Sequence, residues 1–333
     1  MSTHIGPVGT LTSEEIRAVL TAAISAPSLH NSQPWRFRCT ATAIELSADH
    51  TRSLPATDAD DRELLLACGA ALLNLRLALR ARGRHPTVSL LPDAARRDLL
   101  ARVRPVGNRP VSPTDLALAD AIPRRRTNRR PFAPILVPPG VVPALRTAAR
   151  AEQAWLATLA PAQLPLLRVL VAEAHRAQRS EPRFLAEWTQ WTGRDVAATD
   201  GVPARNSGPL PEPQDEWVLR DFSGGRARVR VAGKDFEPDP LIVVVGSFND
   251  RPLAWLQAGQ AMQRVLLTAT AAGLSASFLS QVVEVAATRL ALRDLIGGGL
   301  WPQTVLRIGY GSPVPPTPRR DLDDVVDTVV HAG

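Results

Sequence analysis

The sequence predicts an α+β chain that uses one unit twice, each copy centred on a long helix buried on several sides. Three features point to it. Residues 69–83, GAALLNLRLALRARG, align without gaps on 259–273, GQAMQRVLLTATAAG, and share both glycines, two alanines and a leucine. Earlier in each copy, Ala18, Thr21, Ala22 and Ala23 match Ala144, Thr147, Ala148 and Ala149 at one fixed offset. The shared order is helix, strand, long apolar helix, and 333 residues suffice for two such units.

Thr12 opens T-S-E-E, a capping-box pattern, and Ile16, Val19, Leu20, Ala23 and Ile24 form one apolar helical face. Pro27 ends that helix, because its ring fixes φ and it lacks an N–H. Strands are expected near Trp35–Cys39 and Ile44–Ala48, then a helix over about 59–82 that is apolar nearly all round. Thr87–Leu91 and 101–106 read as further strands, as do 241–248, 276–279 and 304–311, with the second long helix between the first two of these. Between about 176 and 240 the chain is rich in proline with little regular pattern, yet carries Trp188, Trp191 and Trp217. Linkers rarely hold tryptophan, so this segment reads as a lid.

Composition narrows the function. The net charge is +7, but the basic residues are nearly all arginines scattered along helices, with no basic block interleaved with aromatics. Nucleic acid is therefore not the expected partner. Cys39 and Cys68 lie far apart in apolar segments with no CxxC, so they read as buried thiols in a reducing compartment, and no metal site is expected. MSTHIGPVGTLTSEE lacks the basic and apolar regions of a signal peptide, and the longest apolar runs are too short to span a bilayer. A cytoplasmic protein without a membrane span is expected. No GxGxxG follows a strand, and no P-loop or GxSxG elbow occurs.

Two stretches stand out chemically. APSLHNSQPW (26–35) crowds hydroxyl and amide side chains into a connection between helix and strand, with His30 the one histidine in a suggestive place. PRRRTNRRPF (123–132) is the densest charge in the chain, interrupted by Thr127 and Asn128 and anchored by Pro131 and Phe132. Arginines flanking a hydroxyl suit a phosphate dianion, because each guanidinium offers paired N–H donors. Arg319 and Arg320 form a second pair after a proline-rich loop.

APSLHNSQPW (26–35), RRTNR (125–129) and PRRDLDDVV (318–326) together resemble the nitroreductase superfamily of flavin mononucleotide (FMN) proteins. ASFLSQ (276–281) and LRIGYGSP with PRR (306–320) are similar to its Acg-type branch, whose single chains carry two fused nitroreductase-like halves. The resemblance implies a nitroreductase-like α+β fold duplicated in one chain, a pseudo-dimer with halves 1–112 and 113–333. It implies that Arg125, Arg126, Thr127 and Arg129, closed over by Arg319 and Arg320, grip the flavin phosphate. Pro27, Ser28, Asn31 and Gln33 would approach the ribityl chain and ring from the other half. Ser280 and Gln281 would stand at the ring's redox edge, where a glutamate common in active members is absent. No catalytic residue is implied, because the flavin transfers the electrons itself.

The halves differ in what they keep. Half one has GPVGTL (6–11) where the arginine motif would stand, and half two has AEQAWLATL (151–159) where the loop would stand. One FMN site can be assembled at the interface and the symmetric second site cannot, in a monomer with an internal pseudo-two-fold. The resemblance leaves two readings of different class. One is an NAD(P)H-linked oxidoreductase acting on nitro or quinone-like substrates. The other is a flavin-sequestering protein whose 176–240 lid lays Trp188 or Trp191 over the ring.

Overall fold

The computed structural model describes residues 5–212, 215–217, 220–227 and 240–327. Helix α1 (Ser13–Ile24) starts at Thr12, whose side chain accepts from the Glu15 amide while the Thr12 amide donates to the Glu15 carboxylate. Its buried residues are Ile16, Val19, Leu20, Ala23 and Ile24, the stripe marked by the periodicity. Strands β1 (Trp35–Cys39) and β2 (Ile44–Ala48) follow, then the long helix α2 (Arg62–Arg80), β3 (Arg84–Leu90), β4 (Leu99–Asn108) and α3 (Pro113–Ala121). Next come α4 (Val141–Arg150), β5 (Trp155–Thr158), α5 (Leu164–Arg179), α6 (Pro182–Trp191) and the short strands β6 (Thr192–Arg194) and β7 (Val202–Pro203). The rest is β8 (Leu241–Ser247), α7 (Pro252–Ala271), β9 (Ser275–Phe278), α8 (Gln281–Glu284), α9 (Ala286–Leu295), β10 (Trp301–Gly309), α10 (Leu322–Val325) and β11 (Val326–Asp327).

Two sheets enclose the central helices α2 and α7. The first runs β11-β1-β2-β4-β3, antiparallel except for the parallel β11–β1 pair. The second, β5-β8-β10-β9, is antiparallel throughout. Strand alternation assigns the faces. On β1, Trp35, Phe37 and Cys39 point into the core, while Arg38 turns outward to clasp Glu45 of β2, which Arg102 of β4 also bonds. In the second sheet both faces are covered, so its strands read as continuous apolar runs. Val243 and Val245 face the central helices, and Ile242 and Val244 pack with Leu167, Leu170 and Val171 of α5. One continuous core includes Leu72 and Leu75 of α2 with Val265 and Leu266 of α7.

The long helix is shorter at both ends than the expected 59–82. At its start Asp58 accepts the amides of Glu63 and Leu64, so the preceding residues serve as a cap. The expectation of little regular structure at 176–240 needs correction. Helix α5 runs on to Arg179, and α6 is launched by Glu181, which accepts from the Arg183 amide, with Pro182 at the first helical position. Residues 213–214, 218–219 and 228–239 of that segment lie outside the described residues. Among the described residues no helix is long and apolar enough to cross a membrane.

Candidate functional site

A cleft opens where loop 27–30, the start of α2 and the second sheet converge. Leu29, Leu66, Ala67, Met262 and Phe278 supply an apolar lining, and Ser28, His30, Glu63, Thr127, Arg129, Ser277 and Ser280 supply polar groups. Pro27 and Phe222 complete the wall.

The loop after α1 is held in an unusual conformation. His30, Asn31 and Gln33 all have positive φ, at 48°, 58° and 54°. Residues with a Cβ rarely adopt this region, and they stay there only where the surroundings over-determine them. The Asn31 amide donates to the carbonyls of Gly201 (3.0 Å) and Pro318 (3.2 Å), and its oxygen accepts from Arg319 Nη1 (3.0 Å). Gln33 donates to the Thr199 carbonyl (2.9 Å) and accepts from the Arg320 amide (2.9 Å). Ser28 Oγ accepts from the Gln33 amide, which closes the loop on itself.

Of the residues nominated by the sequence, Pro27, Ser28, Thr127, Arg129 and Ser280 line the cleft. Asn31 and Gln33 do not: they tie the loop to segments 199–201 and 318–320 through the bonds just described. Arg319 is similarly occupied, donating to the carbonyls of Ile24, Ser25 and Ala26 at the end of α1. That is where a cation is favoured by the orphan carbonyls and the helix dipole. Arg320 lies 3.7 Å from Asp49 and donates to the Asp324 carbonyl. Gln281 is buried on an adjoining pocket, which shares Arg129, Phe222, Ser277 and Phe278 with the cleft.

Arg125 has the most telling environment. It is buried, its Nε and Nη1 have no partner, and no described carboxylate pairs with it. Burial, reinforced by the charges of Arg319, Arg126 and Arg129, pushes its pKa down to about 9. A desolvated cation beside other cations lacks an anion. Arg126 bonds only to nearby carbonyls, of Pro123 and Arg125, while Thr127 bridges to Ala276 at the edge of β9. Asn128 fixes that register by donating its amide to the Ala276 carbonyl.

Behind the cleft sits a buried polar group. Arg220 pairs with Glu284 at 2.5 Å and donates to Ser280 Oγ at 3.1 Å. Burial alone would raise the Glu284 pKa, but Arg220 outweighs it and holds the carboxyl at about 2. His30 packs edge-on against Trp188 at 5.1 Å, and its Nε2 is buried without a partner. Burial, aided by Arg220 and Arg129 and opposed by Glu284, holds this imidazole neutral with a pKa of about 3.

The tryptophans of the 176–240 segment do not line the cleft as expected. Trp188 backs His30 and Phe222, and Trp191 lies 5.3 Å beneath the Arg52 guanidinium. Trp188 is engaged by the loop after α1 and the face of Trp191 by a cation, which leaves Phe222 as that segment's ring on the wall, 4.3 Å from the Arg129 guanidinium. Sequence reasoning also missed Glu63. It lines the cleft, ion-paired to Arg62 at 2.6 Å, and burial raises its pKa to about 7 against the opposing charge of Arg62. An acid opening a helix otherwise apolar all round was the available signal.

The nitroreductase family model matches residues 122–310, the part that holds the arginine cluster, α7 and the second sheet. A Mycobacterium tuberculosis (strain H37Rv) protein named as an NAD(P)H nitroreductase, Rv3131, is 39% identical over 321 residues, covering 94% of this chain and 91% of its own. A second protein of the same organism that carries such a name, acg, is 32% identical over 333 residues, covering 95% of this chain and 96% of its own. Among solved structures, an FMN-bound nitroreductase of Desulfitobacterium hafniense aligns over 63% of this chain and 96% of its own, at 13% identity and a TM-score of 0.39. On the family match and the near full-length relatives, the chain belongs to the nitroreductase family.

Proposed function

We propose that this chain is an FMN-dependent oxidoreductase, reduced by NAD(P)H and acting on nitro or quinone-like acceptors, with its flavin in the cleft where residues 1–112 meet 113–333. The unpartnered, buried Arg125 carries the proposal: a phosphate dianion supplies the counter-charge it lacks, with Arg126 and Thr127 beside it. The NAD(P)H in the names of the mycobacterial relatives supports the reductant.

When bound, the flavin supplies the electron and hydride transfer. The chain's own residues bind and orient it. Leu66, Ala67, Met262 and Phe278 give the cleft an apolar lining that disfavours water, and His30 and Ser28 offer hydrogen-bonding groups in its wall. Asn31, Gln33 and Arg319 act at one remove, holding loop 27–33 in its left-handed conformation. The loop comes from the first half and the arginines from the second, so one flavin per chain follows. A monomer with an internal pseudo-two-fold follows too, because α2 and α7 bury each other.

Phe222 favours a second reading, in which the 176–240 segment closes over the ring and the protein retains flavin without turnover. Stopped-flow absorbance with NADPH and NADH separates the two. Reduction at ordinary enzyme rates, with reoxidation by a nitroaromatic, supports the oxidoreductase. Reduction by dithionite alone supports retention. Released flavin quantified after denaturation should equal one per chain, and a protein that refuses FMN overturns both.

A further inference from the structure

We propose that Glu63 is the proton-exchanging residue of the cleft, taking up a proton as a flavin ring settles against it, an inference that rests on the flavin reading above. Among the described residues that line the cleft, Glu63 is the one carboxylate. It stands in the first turn of α2, where an acidic side chain ordinarily serves the helix's own amides. Asp58 has taken that role, its two oxygens accepting from the Glu63 and Leu64 amides at 2.9 Å each. The Glu63 carboxylate is left to Arg62 and to the cleft.

Arg62 cannot carry the pair out into solvent. It is buried, and donates to the Gln303 carbonyl at 2.6 Å and the Val283 carbonyl at 3.1 Å while holding Glu63 Oε1 at 2.6 Å. The groups facing Glu63 from each packed element are few. Arg62 favours its charge, whereas Asp58 before the helix and Glu284 of α8 oppose it. Glu284 is itself committed to Arg220, and His30 across the loop is neutral. Burial is already the largest influence on Glu63. A flat ring laid on its neighbours Leu66 and Ala67 removes the water that remains, which disfavours the carboxylate further. The proton comes from solvent and goes to the oxygen that Arg62 does not hold. A residue that merely neutralised Arg62 would exchange no proton when the cleft fills.

Riboflavin is the suitable probe, since it carries the ring without a titrating phosphate. Its affinity for the flavin-free chain is measured by fluorescence from about pH 6 to about pH 8.5, with calorimetry in buffers of different protonation enthalpy to count protons. FMN is run in parallel, its phosphate titration being common to all variants. Wild type should take up close to one proton per ring at the upper end and lose up to about tenfold in affinity per pH unit there. Glu63→Gln should bind with the affinity of low-pH wild type at every pH, without proton uptake. Binding with no proton uptake in wild type, or an unchanged pH profile in Glu63→Gln, overturns the role of Glu63 alone. Failure of both flavins to bind at any pH overturns it together with the flavin reading.

Discussion

Gly69 of α2 and Gly259 of α7 meet where the two long helices cross. A Cβ on Gly69 would lie 3.0 Å from the Gly259 Cα and nearer still to the Leu256 carbonyl, and one on Gly259 would press into the Leu66 backbone. The helices therefore touch backbone to backbone. Gly69→Ala or Gly259→Ala should destabilise by about 3 kcal/mol, the upper end of overpacking costs, or more. Urea unfolding should show a lower midpoint at unchanged slope. Gly299→Ala, with nothing within 4 Å, should stay within roughly 0.5 kcal/mol of wild type.

Arg125→Met should split stability from binding. Removing a buried, unpaired guanidinium relieves the flavin-free chain, so its melting temperature should rise. FMN affinity should fall by roughly ten- to a hundred-fold, the loss of one charge-assisted contact, while riboflavin affinity holds. Equal losses for the two flavins would place the phosphate elsewhere.

Arg319→Ala should behave differently, although the resemblance assigns both arginines to the phosphate. Its donors hold the end of α1 and Asn31, so the variant should lose roughly 1.5–3 kcal/mol of stability. FMN and riboflavin should weaken together, and loop 27–33 should become a site of proteolytic cleavage. A loss confined to FMN would show that Arg319 turns toward the phosphate.

Acid should unsettle the fold through His30. Its folded pKa of about 3 lies below the ordinary 6.5, so the unfolded chain binds a proton that the folded chain refuses. The stability tied to His30 is whole above pH 6.5 and drains away as the pH falls toward 3. Glu63, raised from 4.5 to about 7, acts in the opposite sense, favouring the fold as the pH drops through that window. Thermal melts of His30→Gln should therefore decline less steeply below pH 6.5 than those of wild type. Parallel slopes would mean that His30 takes its proton in the folded state.

Much of this architecture was legible before any coordinates. The cap at Thr12, the stripe on α1 and the matched glycines of the long helices are local or periodic signals, and each has a direct physical counterpart. The site was legible as two segments and not as a wall. Nothing in PSLHNSQPW announces that Asn31 and Gln33 take positive φ, so their amides read as ligand contacts when they are spent on the chain itself. Arg125 and Arg319 are alike on paper, and only tertiary neighbours give one of them six carbonyl and amide partners and leave the other with orphaned donors. Phe222 reaches the cleft through packing that no spacing encodes, whereas Glu63 was marked only as an acid at the start of an apolar helix.

The parallel pairing of β11 with β1 bears on how the protein is made. Val326 sits opposite Phe37, and Asp327 is held by Arg36 Nε at 2.7 Å. A ribosome delivers the first four strands of that sheet long before its edge is sealed, and β1 leaves the tunnel with a row of unpaired amides. Loop 27–33 waits as well, since its partners at 199–201 and 318–320 are synthesised late. The conformation of that loop is therefore set only once both distant segments have been made. A premature stop or a protease cut ahead of residue 318 removes both the loop's later partner and β11, and leaves an open-edged fragment suited to chaperones or to aggregation.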